Sequence, residues 1–110
     1  MLKRPEVVEA FLAAQLSTRE HEVFAVILLD AHYRLIKYLE LFRGSATGAT
    51  VHTSEVVKAA LKHNATGVIF AHNHPSGHAE PSEADVIVTR QLKAALSLVD
   101  VQVIDHFVIG

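Results

Sequence analysis

The middle of the chain contains the stretch Val68-Ile69-Phe70-Ala71-His72-Asn73-His74-Pro75-Ser76-Gly77. Its first four residues are apolar and lie between a glycine and a Pro/Ser/Gly turn, which is typical of a short buried strand. His72 continues this strand, and His74 is extended because it precedes a proline. Since residues two apart on an extended segment point the same way, both imidazoles are predicted to project together, with Asn73 pointing away.

A carboxylate, Asp85, follows eleven residues after His74, near the start of a predicted helix. Pro81 and Ser82 are typical of a helix start, with Ser82 at the N-cap and Asp85 in place of the usual capping-box acid. The apolar residues that follow form one helical stripe: Val88, Leu92, Ala95, Leu96 and Val99. Asp85 is therefore predicted to face inward, where a carboxylate needs a partner or a metal.

Two imidazoles and a carboxylate are three of the four ligands of tetrahedral zinc, and an open fourth position is typical of hydrolytic sites. We therefore predict a Zn²⁺ site formed by His72, His74 and Asp85. Taken singly, a histidine is usually a surface or core residue, and Asp85 would be a helix N-terminal charge. Among the eight histidines, His78 and His106 are outside candidates for the metal.

The composition limits the class of protein. The 110 residues suffice for one domain, so we predict a single domain over residues 1–110, with a leading helix in 1–18 and a core in 22–110. No apolar run is long enough to span a bilayer, and neither a cysteine nor a signal-peptide pattern is present, so we expect a cytoplasmic protein without a membrane partner. The net charge of −2, with scattered basic residues, argues against a nucleic-acid surface.

Hydrophobic patterns predict seven elements in the order α-β-β-α-β-α-β. They are a helix from Pro5 to about residue 17, strands at 23–29 and 35–42, a helix capped by Thr53 or Ser54 that ends near Asn64, a strand at Val68, a helix at Ser82, and a strand at 101–109. The inward residues of the first two helices are predicted to be Val7, Val8, Phe11, Leu12 and Leu16, then Val56, Val57, Ala60 and Leu61. This order predicts an α/β fold, a mixed β-sheet flanked by helices.

Three segments match one known family: His72 to Gly77, Pro81-Ser82 with Asp85, and Asp105-His106-Phe107-Val108-Ile109-Gly110. They resemble the RadC family, part of the JAMM (MPN+) metallopeptidase group, over about residues 22–110. The resemblance implies the layered, cytidine-deaminase-like JAMM/MPN fold, with zinc held by the three predicted ligands and a water in fourth position. It implies Glu22 as general acid/base, with Glu20 as the fallback. It also implies that Ser82 stabilises an oxyanion, which is compatible with a helix-cap role.

The implied activity is that of a zinc metallopeptidase, which hydrolyses peptide or isopeptide amides with a metal-activated water. The substrate would be a peptide or protein that the sequence does not identify. RadC proteins usually carry an N-terminal helical region and a segment after the final Ile-Gly, so this chain resembles a short, catalytic-domain-only form. A sheet edge left exposed in that form would permit a homo-oligomer.

Three other functions are each compatible with part of the sequence. A DNA-repair-associated protein that processes nucleic acid is disfavoured by the acidic charge balance. A zinc deaminase needs cysteine ligands, which this chain lacks. A zinc-bound, non-catalytic interaction module stays open as an alternative, although the complete ligand set favours catalysis.

Overall fold

The helices and strands follow the predicted order in the computed structural model, which describes residues 4–44, 51–77 and 80–110. In chain order they are α1 (Pro5–Leu16), β1 (Val23–Leu29), β2 (Leu35–Arg43), α2 (Thr53–Lys62), β3 (Gly67–Asn73), α3 (Glu83–Ser97) and β4 (Gln102–Ile109). Within the described residues, no helix combines the length and the apolar character that a bilayer crossing requires.

The four strands form one mixed sheet in the order β2-β1-β3-β4. β1 is antiparallel to both β2 and β3, whereas β3 and β4 are parallel and are connected through α3. The helix α1 packs on one face of the sheet, and α2 and α3 pack on the other. The predicted α/β architecture, a mixed sheet flanked by helices, is confirmed, and it is consistent with the JAMM/MPN fold.

Alternate residues of β1 and β3 enter two separate apolar cores. Val26 and Phe70 belong to the core under α2 and α3, which also contains Leu92. Ile27 and Ile69 belong to the core under α1. Burial on both faces explains why these strands are continuous apolar runs rather than alternating ones.

Some predicted details were wrong. The N-cap of α2 is His52, whose side chain makes no capping hydrogen bond, rather than Thr53 or Ser54, and the helix ends at Lys62. Leu61 was predicted to face inward but is 51% exposed. Successive helical residues lie about 100° apart, and Ala60 occupies the buried position beside it.

The same geometry corrects the prediction for α1. Val8 is buried, whereas Val7, its neighbour, is 45% exposed because it lies about 100° further round the helix. At the strand ends, β2 continues one residue beyond its predicted limit, to Arg43, and β4 begins at Gln102, one residue later than predicted.

Candidate metal centre

The two predicted histidine ligands lie at the C-terminal end of β3. His74 follows the strand directly, and its backbone N–H donates to the Ile109 carbonyl oxygen at 2.8 Å, which keeps it beside β4. Gly77 closes the following turn on the His74 carbonyl at 2.9 Å, with a φ of 92° that favours glycine. The Nε2 atoms of His72 and His74 are 2.9 Å apart, so both rings project to one side, as the strand alternation predicts.

Asp85 reaches the same point from the first turn of α3. The predicted capping box is present: Ser82 Oγ accepts from the Asp85 backbone N–H at 3.0 Å, and the Ser82 N–H donates to Asp85 Oδ2 at 2.7 Å. The same Oδ2 is 3.0 Å from His72 Nε2 and 3.1 Å from His74 Nε2. The helix cap therefore also fixes the carboxylate beside the two imidazoles.

These three side chains fit a tetrahedral metal ion. Their nearest atoms form a triangle with edges of 2.9, 3.0 and 3.1 Å. Zinc bonds to nitrogen and oxygen are about 2.0–2.1 Å long, which separates the ligand atoms of a tetrahedron by about 3.3 Å. Two imidazoles and one carboxylate are also a typical donor set for Zn²⁺.

Glu22 lies beside this group because of the sheet register. Phe24 of β1 pairs with His72 of β3, and continuing this antiparallel register by two residues places Glu22 opposite His74. Glu22 Oε1 is 3.9 Å from His74 Nε2. Glu22, His72, His74 and Asp85 each offer an atom within 4.8 Å of the others. Glu20, the fallback base, is exposed two residues earlier in the chain.

Asn73 has a role that the sequence analysis missed. It points away from the histidines, as predicted, and its buried amide binds the backbone on both sides of Glu22. Oδ1 accepts from the Val23 N–H at 2.7 Å, and Nδ2 donates to the His21 carbonyl at 2.9 Å. The segment that carries Glu22 is therefore attached to the same strand that carries the two histidines.

A second layer of polar groups lies behind His72. Its Nδ1 is 2.8 Å from Nε2 of His106, and Nδ1 of His106 contacts the Thr89 hydroxyl, which donates to the Asp85 carbonyl oxygen at 2.8 Å. His106 thus contacts a predicted ligand from behind. The sequence analysis did not identify Thr89. Its position four residues after Asp85 on one helix indicates that the two residues are neighbours. His78, the other outside candidate, lies outside the described residues.

The electrostatics favour the protonation states that a metal requires. Burial lowers the pKa of His72, and it lowers the pKa of His106 to about 4, which favours the neutral form of both rings. Burial raises the pKa of Asp85, but the Ser82 N–H and the neighbouring His72 outweigh it, and the net shift is downward. Neutral imidazoles and an ionised carboxylate are the forms that bind cations.

The group opens into a cavity of about 270 Å³. Glu22, His72, His74 and Asp85 line it together with Ser82 and His106. The apolar part of the wall is formed by Phe24, Val51, Ala84 and Val88. The predicted site residues therefore share one solvent-accessible space that could admit a substrate.

Comparison with known proteins identifies the family of this chain. The RadC-like JAB domain profile matches residues 2–110. A UPF0758 protein of Cellvibrio japonicus is 57% identical over 110 residues, which are 100% of this chain and 49% of that protein. A UPF0758 protein of Vibrio cholerae is 54% identical over 107 residues, 97% of this chain and 68% of that protein. The chain spans about half the length of several such relatives. It belongs to the family of RadC-like JAB domains.

Proposed function

We propose that this domain is a zinc-dependent hydrolase of peptide or isopeptide amides. The observation that supports it best is the convergence of His72, His74 and Asp85, with Glu22 Oε1 3.9 Å from His74 Nε2. Zn²⁺ bound by the first three residues would supply a Lewis acid and lower the pKa of a bound water towards about 7. Family membership supports the same reading, since RadC proteins resemble the JAMM metallopeptidases.

Glu22 is the group that we assign to proton transfer. Its side chain is 21% exposed at the cavity wall, so it can reach both water and a substrate. In the proposed reaction its carboxylate accepts a proton from the attacking water and delivers it to the leaving amine. Asn73 accepts from the Val23 N–H and donates to the His21 carbonyl, and these two hydrogen bonds fix the backbone on both sides of Glu22.

Ser82 is assigned to the oxyanion of the tetrahedral intermediate. Its oxygen accepts from the Asp85 N–H, which leaves the hydroxyl proton free to donate into the cavity that the residue lines. One such donor contributes about 3 kcal/mol to transition-state stabilisation in well-studied cases. The capping and oxyanion roles therefore use different parts of the same hydroxyl group.

The test compares Glu22→Gln with the matched control Glu20→Gln in a peptide-library cleavage screen with metal analysis. We expect the wild type and both variants to bind one zinc per chain. Cleavage should fall by about 10²–10⁴-fold in Glu22→Gln and stay unchanged in the control. A wild type that binds no stoichiometric zinc would refute the proposal. Cleavage that persists in Glu22→Gln would show that another residue is the general base.

A further inference from the structure

The hydrogen-bond chain behind His72 has a direction that can be read from its far end. The Asp85 backbone carbonyl can only accept, so the Thr89 hydroxyl, 2.8 Å away, is the donor in this contact and uses its single O–H for it. The Thr89 oxygen is then an acceptor towards His106, and Nδ1 of His106 must carry a hydrogen to satisfy that contact. The series of hydrogen bonds therefore ends at a helix carbonyl, which is always an acceptor.

This direction continues to the candidate metal ligand. A neutral imidazole has one N–H, so Nε2 of His106 is left as an acceptor. It faces Nδ1 of His72 at 2.8 Å, which must then be the protonated nitrogen of that ring. Nε2 of His72 is consequently an acceptor. It lies 3.0 Å from Asp85 Oδ2, another acceptor, and 2.9 Å from His74 Nε2, so this tautomer brings lone pairs together where a cation would relieve their repulsion.

The opposite direction leaves a conflict. If His72 were protonated on Nε2, it could donate to Asp85, but Nδ1 would need a hydrogen from Nε2 of His106. Nδ1 of His106 would then face the Thr89 oxygen with two lone pairs opposed, unless the Thr89 hydroxyl turned to His106 and gave up its hydrogen bond to the Asp85 carbonyl. Burial of the ring makes such an unmade hydrogen bond costly.

We infer that His106 and Thr89 are positioning residues that hold His72 in the tautomer whose Nε2 lone pair faces the candidate metal position. The functional meaning of this tautomer rests on the proposed zinc site. Second-layer partners of this kind orient a ligand ring, and their loss typically weakens metal binding by about 10–100-fold. The backbone carbonyl of Asp85 thereby sets the protonation of one ligand while its side chain serves as another.

The primary experiment measures the tautomer in metal-free protein at pH 7, by two-bond ¹H–¹⁵N correlation spectra of ¹⁵N-histidine-labelled chain. We expect His72 to carry its proton on Nδ1 in the wild type and in Thr89→Ser, which keeps the hydroxyl. Thr89→Val has the same shape without the hydroxyl, and it should give a mixture of His72 tautomers. A dominant Nε2–H tautomer in the wild type would overturn the inference.

Zinc affinity, measured by competition with a chromophoric chelator, gives the second readout. The dissociation constant should rise about 10–100-fold in Thr89→Val and stay within about threefold of wild type in Thr89→Ser. His106→Leu and His106→Gln form a second pair, because glutamine can accept from His72 and donate to Thr89 as the imidazole does. Thermal unfolding of each variant checks that it is folded.

The outcomes separate this inference from the proposed function. A wild type that shows the Nδ1–H tautomer but binds no zinc would refute the hydrolase proposal and leave the tautomer assignment standing. Tight zinc binding together with the Nε2–H tautomer in metal-free protein would refute the tautomer assignment and leave the hydrolase proposal standing. Unchanged tautomer and affinity in both Thr89→Val and His106→Leu would show that the two residues do not position His72.

Discussion

Strand β3 presents one face to α2 and α3 and the other to α1, and the two faces end in different chemistry. On the first face the apolar core ends at His72, followed by His74 just beyond the strand, and these rings meet Asp85. On the second face it ends at Asn73, whose amide is occupied by the backbone of a neighbouring segment. One face therefore collects side chains suited to a cation, while the other holds a backbone segment in position.

The partly buried carboxylates on the two sides of the sheet also have different kinds of partner. On the α1 side, the carboxylate of Glu40 is paired with Arg19 at 2.7 Å and accepts from the Tyr38 hydroxyl at 2.9 Å. On the opposite side, within the described part of the chain, the Asp85 carboxylate contacts the two imidazoles and its own helix cap. A carboxylate that already has a guanidinium partner is a stabilising ion pair, whereas a carboxylate beside two imidazoles belongs to a donor set that a cation can bind.

The largest expected effect concerns zinc binding on the first face. Zinc at about 1,000 times its dissociation constant should stabilise the wild type by about 4 kcal/mol. His72→Ala should abolish this gain, because one of three ligands is lost. Ile69→Val, on the opposite face of the same strand, should lower stability by about 0.5–1.5 kcal/mol and keep the full zinc response. Chemical unfolding with and without zinc measures both, and a zinc response retained by His72→Ala would refute the ligand assignment.

The next effect concerns the second face. Asn73→Ala leaves the Val23 N–H and the His21 carbonyl without their partner, so we expect a loss of about 2–3 kcal/mol in unfolding free energy. Zinc affinity should stay within about threefold, because the ligands project the other way. Asn73→Asp keeps an acceptor for Val23 but sets a buried carboxylate oxygen against the His21 carbonyl, so it should not recover the lost stability at pH 7. A large loss of zinc affinity in either variant would show that the two faces are not independent.

A smaller effect is expected at the start of α3. Ser82→Ala removes the helix cap and should cost about 1 kcal/mol, while Ser82→Thr should recover most of it. Because the cap also holds Asp85 Oδ2, zinc affinity should fall modestly in Ser82→Ala. Urea unfolding and chelator competition measure the two quantities. Unchanged stability in Ser82→Ala would contradict the capping box.

The smallest effect concerns pH on the α1 side. Burial, aided by Glu40, raises the pKa of Tyr38 above its ordinary value of 10.0. A raised pKa in the folded protein contributes stability that is complete below about pH 10 and is lost as the pH rises towards the folded value. The unfolding free energy should therefore decline above about pH 10, less steeply in Tyr38→Phe. Equal pH profiles for the two proteins would contradict the shift.

The sequence predicts best those features that depend on neighbouring residues. Strand alternation and the proline after His74 predict that the two imidazoles converge, and the Ser82–Asp85 spacing predicts the capping box. Glu22 could be chosen only through family resemblance, because its proximity to His74 depends on the register between β1 and β3. His106 was named only as an outside candidate for the metal and Thr89 was not named, since their contacts require the parallel pairing of β4 and the orientation of α3.

The contacts at the end of β3 join parts of the chain that are far apart in sequence. Asn73 binds the Val23 backbone across 50 residues, and His72 contacts His106 across 34. The complete site therefore exists only after β1, β3 and β4 have paired, and we expect this pairing to come late in folding because distant segments must first be brought together. Zinc should accordingly stabilise the folded state and not the transition state for folding. It should therefore slow unfolding and leave the refolding rate nearly unchanged.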